Sequence, residues 1–232
     1  VVTGATVKAV APATEAAKTD VTAATGVADN VKHEEIVTNT DKFAGGLGTE
    51  ASPYLIATAE QLVNINELSA TDNVYVRLIN NIVVPYEKLA KIQWTGYNWY
   101  TYCAIEKFNG VFDGAGYEIT LPDGTYFNEE TSAAYSTLIN TARAVKVKNL
   151  ILTQGTLLND AYNVTVEKVT TRGDLSFQNN CGMIIGNAFN KATLIDCRNE
   201  ANINSTSYSA VFVGYAVNNL DLTFTNCVNA GS

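Results

Sequence analysis

Two stretches near the end of the sequence decide the fold: CGMIIGNAFNKATLIDCRNEANI at 181–203 and SAVFVGYAVNNLDLTFTNCVNAGS at 209–232. Both contain a small apolar run that ends in glycine, a polar turn, a strand-like run, and a cysteine followed two residues later by asparagine. The spacing between Gly186 and Gly214 is two positions shorter than the spacing between Cys197 and Cys227. This difference predicts a two-residue insertion in the intervening turn. Self-similarity of this period is typical of a repeat protein.

The repeating unit is too short to bury an apolar face by itself, so neighbouring units must stack and share one core. We therefore predict parallel coils over residues 138–232, which makes the chain an all-β parallel β-helix. Stacked strands lie about 4.8 Å apart, which places Cys197 over Cys227 and Asn199 over Asn229. A disulfide between the two cysteines and a pair of reduced thiols are both compatible with this placement. Weaker copies of the repeat precede it, at 138–152 and 162–175.

The character of the sequence changes at Phe43. Residues 1–42 are rich in Ala, Thr and Val and have neither helical nor strand periodicity. We assign residues 1–42 to a linker or cap and residues 43–232 to the β-helix domain. A short helix from about Glu15 and an edge strand through residues 1–10 are both compatible with the first segment.

A capping signal follows the first predicted strand, at 54–56. Thr58 and Gln61 have the spacing of a capping box, so a helix is predicted from about Ala59 to Leu68. Its apolar stripe is expected to cover the first coil, because the open end of a β-helix presents unpaired strand edges. Further elements are predicted to be a strand at 74–82, a tight turn at 113–116 and a strand at 117–121.

The composition excludes several classes of function. The net charge is −8 and the pI is near 4.7, so no basic stripe can neutralise nucleic-acid phosphates or anionic lipids. No run of 18 apolar residues indicates a transmembrane segment, and the first residues have no features of a signal peptide. The four cysteines have no CxxC spacing, which favours buried free thiols over a zinc site or a disulfide scaffold: Cys103, Cys181, Cys197 and Cys227.

A family resemblance is carried by GGLGTEASPYLIATAEQL at 45–62, FNGVFDGAGYEI at 108–119 and the two cysteine-containing repeats. These stretches resemble bacterial cell-surface β-helix proteins with GLUG-type repeats, which occur in adhesin-like proteins and beside the protease unit of some IgA-cleaving metallopeptidases. The resemblance covers about Phe43 to Ser232. It implies a right-handed parallel β-helix, export, and a large modular parent protein. Residues 1–42 and the aromatic run at 94–102 depart from the family pattern.

Catalytic machinery is not indicated. His33 is the single histidine, and HEEIV at 33–37 lacks the second histidine of a zinc-peptidase motif. The carboxylates that a polysaccharide lyase or glycoside hydrolase of the β-helix type would need lie in turns and recur at no coil spacing. We predict no catalytic residues, no metal site and no cofactor, with such an enzyme as the alternative. The carboxylates considered are Asp113, Asp123, Glu129, Glu130 and Asp174.

The aromatic run at 94–102 is the candidate ligand-binding feature. Flat aromatic faces beside hydroxyl and amide groups suit sugar rings or protein surfaces, although the same residues also suit packing over the side of the coils. The sequence thus predicts an adhesin-like scaffold or a binding module for host or bacterial glycans or surface proteins, on the cell surface or secreted. The predicted contact residues are Trp94, Tyr97, Trp99, Tyr100 and Tyr102.

The sequence stops at NCVNAGS, in a turn that is expected to lead into another coil. A β-helix ordinarily ends in a polar or helical cap. We therefore expect that Ser232 is not the natural end of the protein, and that the last coil either associates with a partner or frays.

Overall fold

A computed structural model of the chain describes residues 42–69, 73–93, 100–122, 134–177, 181–205, 209–217 and 220–231. The chain divides into two compact units, residues 1–39 and 40–232, and the described residues belong to the second unit. The prediction that residues 1–42 form a linker or cap therefore falls outside the description, apart from Lys42.

The described residues form one short α-helix, two 3₁₀ turns and a series of strands. In chain order they are β1 (Tyr54–Ile56), α1 (Ala59–Val63), a first 3₁₀ turn (Asn64–Glu67), β2 (Val74–Leu78), β3 (Ile82–Val83), a second 3₁₀ turn (Tyr86–Lys88), β4 (Ala90–Gln93), β5 (Tyr100–Asp113), β6 (Glu118–Thr120), β7 (Ala134–Thr153), β8 (Thr156–Arg172), β9 (Leu175–Phe177), β10 (Cys181–Gly182), β11 (Ile185–Ile195), β12 (Arg198–Asn199), β13 (Ile203–Ser205), β14 (Ser209–Ala210), β15 (Val213–Ala216), β16 (Asp221–Thr225) and β17 (Val228–Asn229).

Parallel pairing organises these strands. Thirteen strands join one sheet, whose main path runs β1-β2-β5-β7-β8-β11-β15, and each neighbouring pair on that path is parallel. Two further parallel pairs, β9 with β13 and β10 with β14, form small separate sheets. For the described residues, the prediction of a mostly β fold with parallel strands is confirmed.

The register of the last strands follows the repeat in the sequence. Asn187 lies opposite Tyr215, and Asn199 lies opposite Asn229. The second pair is two positions further apart in the sequence than the first, and the extra residues fall in the turn after β15. The predicted insertion is confirmed, and so is the predicted adjacency of the two cysteines that precede the paired asparagines.

Left-handed residues recur at one position in, or directly after, successive strands. Asn149, Lys168, Asp196 and Asn226 have φ values of 52° to 53°, and the pairing of their flanking residues places them in one column across successive segments. Asn and Asp tolerate this conformation because their short side chains can bond locally. Asn226 Nδ2 also donates to Asp196 Oδ1 at 3.1 Å. The left-handed conformation is therefore a repeated feature of the stacked segments.

Alternate side chains of the strands form the core. Val147, Val166 and Leu194 lie in register on three neighbouring strands and are fully buried. Burial of each such side chain contributes roughly 1.5–3 kcal/mol. Phe224 occupies the next position in this column but remains 47% exposed. The core column therefore continues into the last described segment, where one side of it is open to solvent.

The capping box begins the helix as predicted, with one difference in its partners. The Thr58 hydroxyl oxygen accepts from the backbone N–H of Gln61 at 3.2 Å, and Gln61 Oε1 accepts from the N–H of Ala57 at 2.8 Å. The glutamine therefore reaches one residue further back than the N-cap. Leu62 and Ile65 are buried in the core, which agrees with the predicted apolar stripe.

The predicted extent of the helix, Ala59 to Leu68, is wrong beyond Val63, where a 3₁₀ turn replaces the α-helix. Asn66 explains the change because its side chain binds the edge of β5. Its Nδ2 donates to the Ala104 carbonyl at 2.9 Å, and its Oδ1 accepts from the Glu106 N–H at 2.7 Å. These bonds satisfy backbone groups in the part of β5 between its pairings with β4 and β2.

One other sequence expectation is corrected, and one pairing was not anticipated from the sequence. The strand predicted at 74–82 is interrupted, because β2 ends at Leu78 and the Asn80 side chain accepts from the Asn81 N–H at 3.0 Å in the turn before β3. In addition, β4 pairs antiparallel with the start of β5. The short connection at 94–99 can join antiparallel strands, whereas a parallel pair needs a long crossover.

Candidate functional site

The predicted aromatic binding residues lie at the start of β5 and, in the sequence, directly before it. β4 and the start of β5 form an antiparallel pair that we call the β4–β5 hairpin. Trp94, Tyr97 and Trp99 lie outside the described residues. Tyr100 is half-buried, and Tyr102 is only 6% exposed. The described part of the run therefore forms the base of the hairpin, and the predicted contacts of the other three residues stay a prediction.

Aromatic and cationic contacts order this base. Lys91 Nζ lies 4.0 Å from the ring centroid of Tyr100 and 5.8 Å from that of Tyr102. The ring centroids of Tyr86 and Tyr102 are 5.5 Å apart, and the hydrogen bond between these phenols, aided by burial, raises the pKa of Tyr86. One face of Tyr100 is thereby occupied by an ammonium group. Contacts of this kind stabilise the packing of β4 against the start of β5.

A second aromatic group, which the sequence analysis missed, lies across β7, β8 and β11. Arg143, Tyr162 and Phe189 are in register. The Arg143 guanidinium lies 4.1 Å from the Tyr162 centroid, and the Tyr162 and Phe189 rings stack at 4.4 Å with an interplanar angle of 8°. Both faces of the tyrosine ring are covered, so this group stabilises the stacking of strands more than it offers a platform for a ligand. We call these three residues the aromatic column.

A polar column runs beside the aromatic column. Asn187 Nδ2 donates to Asp160 Oδ1 at 2.9 Å. Burial raises the pKa of Asp160, although the hydrogen bond from Asn187 and the charge of Arg143 oppose this effect. Tyr215, the neighbour of Asn187 on β15, is 51% exposed. The wall of the sheet thus offers a carboxylate, an amide and a phenol that can form hydrogen bonds.

The first carboxylate of the enzymatic alternative serves a turn. Asp113 Oδ1 accepts from the Ala115 N–H at 2.9 Å and from Asn149 Nδ2 at 3.1 Å, and Lys148 Nζ lies 3.5 Å from Oδ2. Burial acts to raise the pKa of Asp113, but these hydrogen bonds and the lysine charge outweigh it and lower the pKa. A carboxylate held ionised in this way is a poor general acid.

The remaining candidates add no acid–base pair among the residues that the structure describes. Asp174 accepts from Asn202 Nδ2 at 2.9 Å, which links two neighbouring segments. Asp123, Glu129 and Glu130 lie outside the described residues, as does His33. Within the described ranges, no group of three or more His, Cys, Asp or Glu side chains is arranged to hold a metal ion.

Other described carboxylates are bound to cations. The hydrogen bond and charge of Lys146, 2.8 Å away, lower the pKa of Glu167. Glu200 accepts from Arg198 at 2.7 Å and from Arg172 at 2.9 Å, and these bonds lower its pKa.

In the part of the chain that the structure describes, no helix has the length and apolar character needed to cross a membrane.

Comparison with known proteins adds one distant structural similarity. No family model matches the chain, and no curated protein matches it. The fold is similar to the crystal structure of a candidate immunoglobulin A1 protease from Bacteroides ovatus, with 15% sequence identity and a TM-score of 0.46 over 82% of this chain and 70% of that chain. At this distance the similarity gives no information about activity.

Proposed function

We propose that the chain is a non-catalytic segment of an exported bacterial surface protein, folded as a right-handed parallel β-helix. It acts as an adhesin-like scaffold that presents the aromatic hairpin to glycans or surface proteins. A right-handed winding is the expected one, because parallel strands joined by crossovers almost always connect with that hand.

The observation that carries the scaffold proposal is a set of side-chain bonds between neighbouring segments. Asp160, Asp174 and Asp196 each accept from an asparagine that belongs to the next segment of the chain. Inside the fold, Thr171 donates to Asn199 at 2.8 Å, and Asn199 donates to Asn229 at 2.9 Å. Polar groups used in this way hold strands in register, and they are not arranged around a substrate.

The hairpin supports the binding part of the proposal. Among the described strands, β4 and β5 form the antiparallel pair, and the sequence at 94–102 contains five aromatic residues. An ordered pair of strands whose connecting sequence is rich in aromatic residues suits the binding of sugars and protein surfaces, in which flat rings contact the ligand and few charges are needed.

A glycan array tests the binding proposal directly. The native chain is compared with a Trp99→Ala variant and with Tyr215→Ala, which removes an exposed aromatic ring from β15 as a matched control. We expect the native chain and Tyr215→Ala to bind the same glycans, and Trp99→Ala to lose about 5- to 30-fold in affinity, since an aromatic contact is worth on the order of 1–2 kcal/mol. Equal binding by all three proteins would refute the assignment to the hairpin.

An activity screen tests the non-catalytic part. We expect no turnover of neutral or acidic polysaccharides, with or without calcium. Turnover that is abolished by Asp113→Asn or Asp174→Asn would instead establish the β-helix lyase or hydrolase alternative.

A further inference from the structure

We propose that Cys197 and Cys227 form an intramolecular disulfide when the folded protein meets a disulfide oxidant, and that this bond holds the last described segment, residues 209–231, against the segment before it. The proposal rests on the parallel register of the strands and does not depend on the identity of any ligand. It therefore survives or fails separately from the binding function.

The register brings the two cysteines together. Ile195 pairs with Thr225 and Arg198 pairs with Val228, so Cys197 and Cys227 are neighbours in the equivalent two-residue links between these parallel strands. Neighbouring strands lie about 4.8 Å apart, and disulfides form across Cα separations of about 4.4–6.8 Å. The backbone N–H of Val228 also donates to the Cys197 carbonyl at 2.9 Å.

The two thiols point in the same direction and have matching surroundings. Cys197 Sγ lies 3.4 Å from the carbonyl oxygen two residues earlier, and Cys227 Sγ lies 3.5 Å from the equivalent oxygen. Each also contacts a carbonyl of the preceding strand at 3.5 Å, that of Val166 or Leu194. The side chains of the two thiols are within hydrogen-bonding reach of each other, while both remain free.

The segment that the bond would hold is poorly protected from solvent. Phe224 and Tyr215 are about half exposed, and Val228 is 46% exposed. Cys227 itself is half-buried, whereas Cys197 is fully buried. A covalent link between these cysteines closes a loop that spans one whole repeat, which restricts the opened states of the segment.

The reaction is two successive thiol–disulfide exchanges. The more accessible Cys227 thiolate attacks one sulfur of glutathione disulfide, which forms a mixed disulfide and releases one glutathione thiolate. The Cys197 thiolate then attacks the Cys227 sulfur and releases the second. The two cysteine protons end on the two glutathione thiols, so one disulfide is reduced as one is formed. Burial raises the pKa of Cys197 to about 11, so the second step is expected to quicken as the pH rises toward that value.

Peptide mapping tests the bond on the full chain. After incubation in a glutathione buffer poised near about −200 mV, free thiols are alkylated and the protein is digested with trypsin. Lysine and arginine residues separate all four cysteines, with Cys197 on 192–198 and Cys227 on 199–232. We expect these two peptides to be recovered as one linked species, and Cys103 and Cys181 to be alkylated. Alkylation of both Cys197 and Cys227, a lasting glutathione adduct on Cys227, or linkage to another cysteine would overturn the proposal.

Hydrogen exchange tests the structural consequence. The amides of Val228 and Ala230 donate to the preceding segment at 2.9 and 2.8 Å. We expect their exchange to slow on the order of 100-fold on oxidation, as the entropy of a loop of this length implies. A Cys227→Val variant keeps an apolar side chain in the column but cannot form the bond, so its exchange should not respond to oxidation. A native chain that is oxidised without slowing, or a variant that slows as much as the native chain, would refute the holding role.

Discussion

Replacing Asn199 with alanine should destabilise the fold strongly, because this side chain links three successive segments. It is fully buried. Its Oδ1 accepts from the Thr171 hydroxyl at 2.8 Å and from the Ala201 N–H at 3.2 Å, and its Nδ2 donates to Asn229 Oδ1 at 2.9 Å and to the Ala201 carbonyl at 2.8 Å. Asn199→Ala therefore leaves the buried Thr171 hydroxyl and the buried backbone groups of Ala201 without these bonds, and it also removes the link to the exposed Asn229.

The magnitude follows from these bonds. At about 1 kcal/mol net for each bond, and with buried groups left unsatisfied, the loss is about 3–4 kcal/mol. For a chain of this size it corresponds to a fall in Tm of roughly 6–15 °C. Asn202→Ala is the matched control, because Asn202 donates to Asp174 at 2.9 Å on the exposed side of the same turn. Its loss should stay within about 0.5 kcal/mol.

Thermal and urea unfolding, followed by circular dichroism, give the Tm and the free energy of unfolding of both variants and of the native chain under the same conditions. The reasoning would be refuted by an Asn199→Ala variant that loses less than about 1 kcal/mol, or no more than the Asn202→Ala control. Either result would mean that the internal asparagine bonds do not hold the strands in register.

Three further predictions concern the backbone, the turns and the aromatic column. Gly110→Ala should lower the free energy of unfolding, measured by urea titration, by about 3 kcal/mol or more, because φ is +124° and a Cβ would lie 2.0 Å from the Val74 carbonyl oxygen. Gly116→Ala is the control: φ is +86° and no atom lies within 4 Å of the added Cβ, so the loss should be about 1 kcal/mol. Asp113→Asn should destabilise the protein at pH 7, because the folded pKa lies below the unfolded value near 3.9. The stabilisation is present above that value and is lost as the pH falls through the folded pKa, so a difference from the native chain that persists undiminished at about pH 2 would contradict it. A double-mutant cycle of Tyr162→Ala and Phe189→Ala should give a coupling of roughly 0.5–1.5 kcal/mol, and additive losses would show that the stacked rings do not stabilise each other.

The repeated part of the fold could be predicted because equivalent positions face equivalent neighbours. Cys197 and Cys227 lie in one column, as do Asn199 and Asn229, so the same residue type suits both positions. The left-handed conformation of Lys168 could not be predicted from the sequence, since lysine has no preference for that conformation. Its position in a column between Asn149 and Asp196 imposes the conformation.

The less regular parts escaped the sequence analysis for identifiable reasons. The helix ends early because Asn66 binds backbone groups of β5, which lies far away in the sequence. The aromatic column pairs Arg143 with Tyr162 and Tyr162 with Phe189, and these two pairs have different separations in the sequence. No single period contains both, so only the folded register brings the three side chains together.

The central claim, parallel stacking of successive segments, is tested most directly by distances between pairs of nitroxide labels. Lys146, Thr165, Thr193 and Thr223 occupy one column on β7, β8, β11 and β16. Labels are introduced as cysteines in pairs, in a chain whose native cysteines have been replaced by valine or alanine. The account predicts that the distance grows by about 4.8 Å for each segment, so that 165/193 is the closest pair, 146/193 is intermediate and 146/223 is the farthest. A 146/223 distance as short as that of 165/193, or no dipolar coupling for 165/193, would contradict the account.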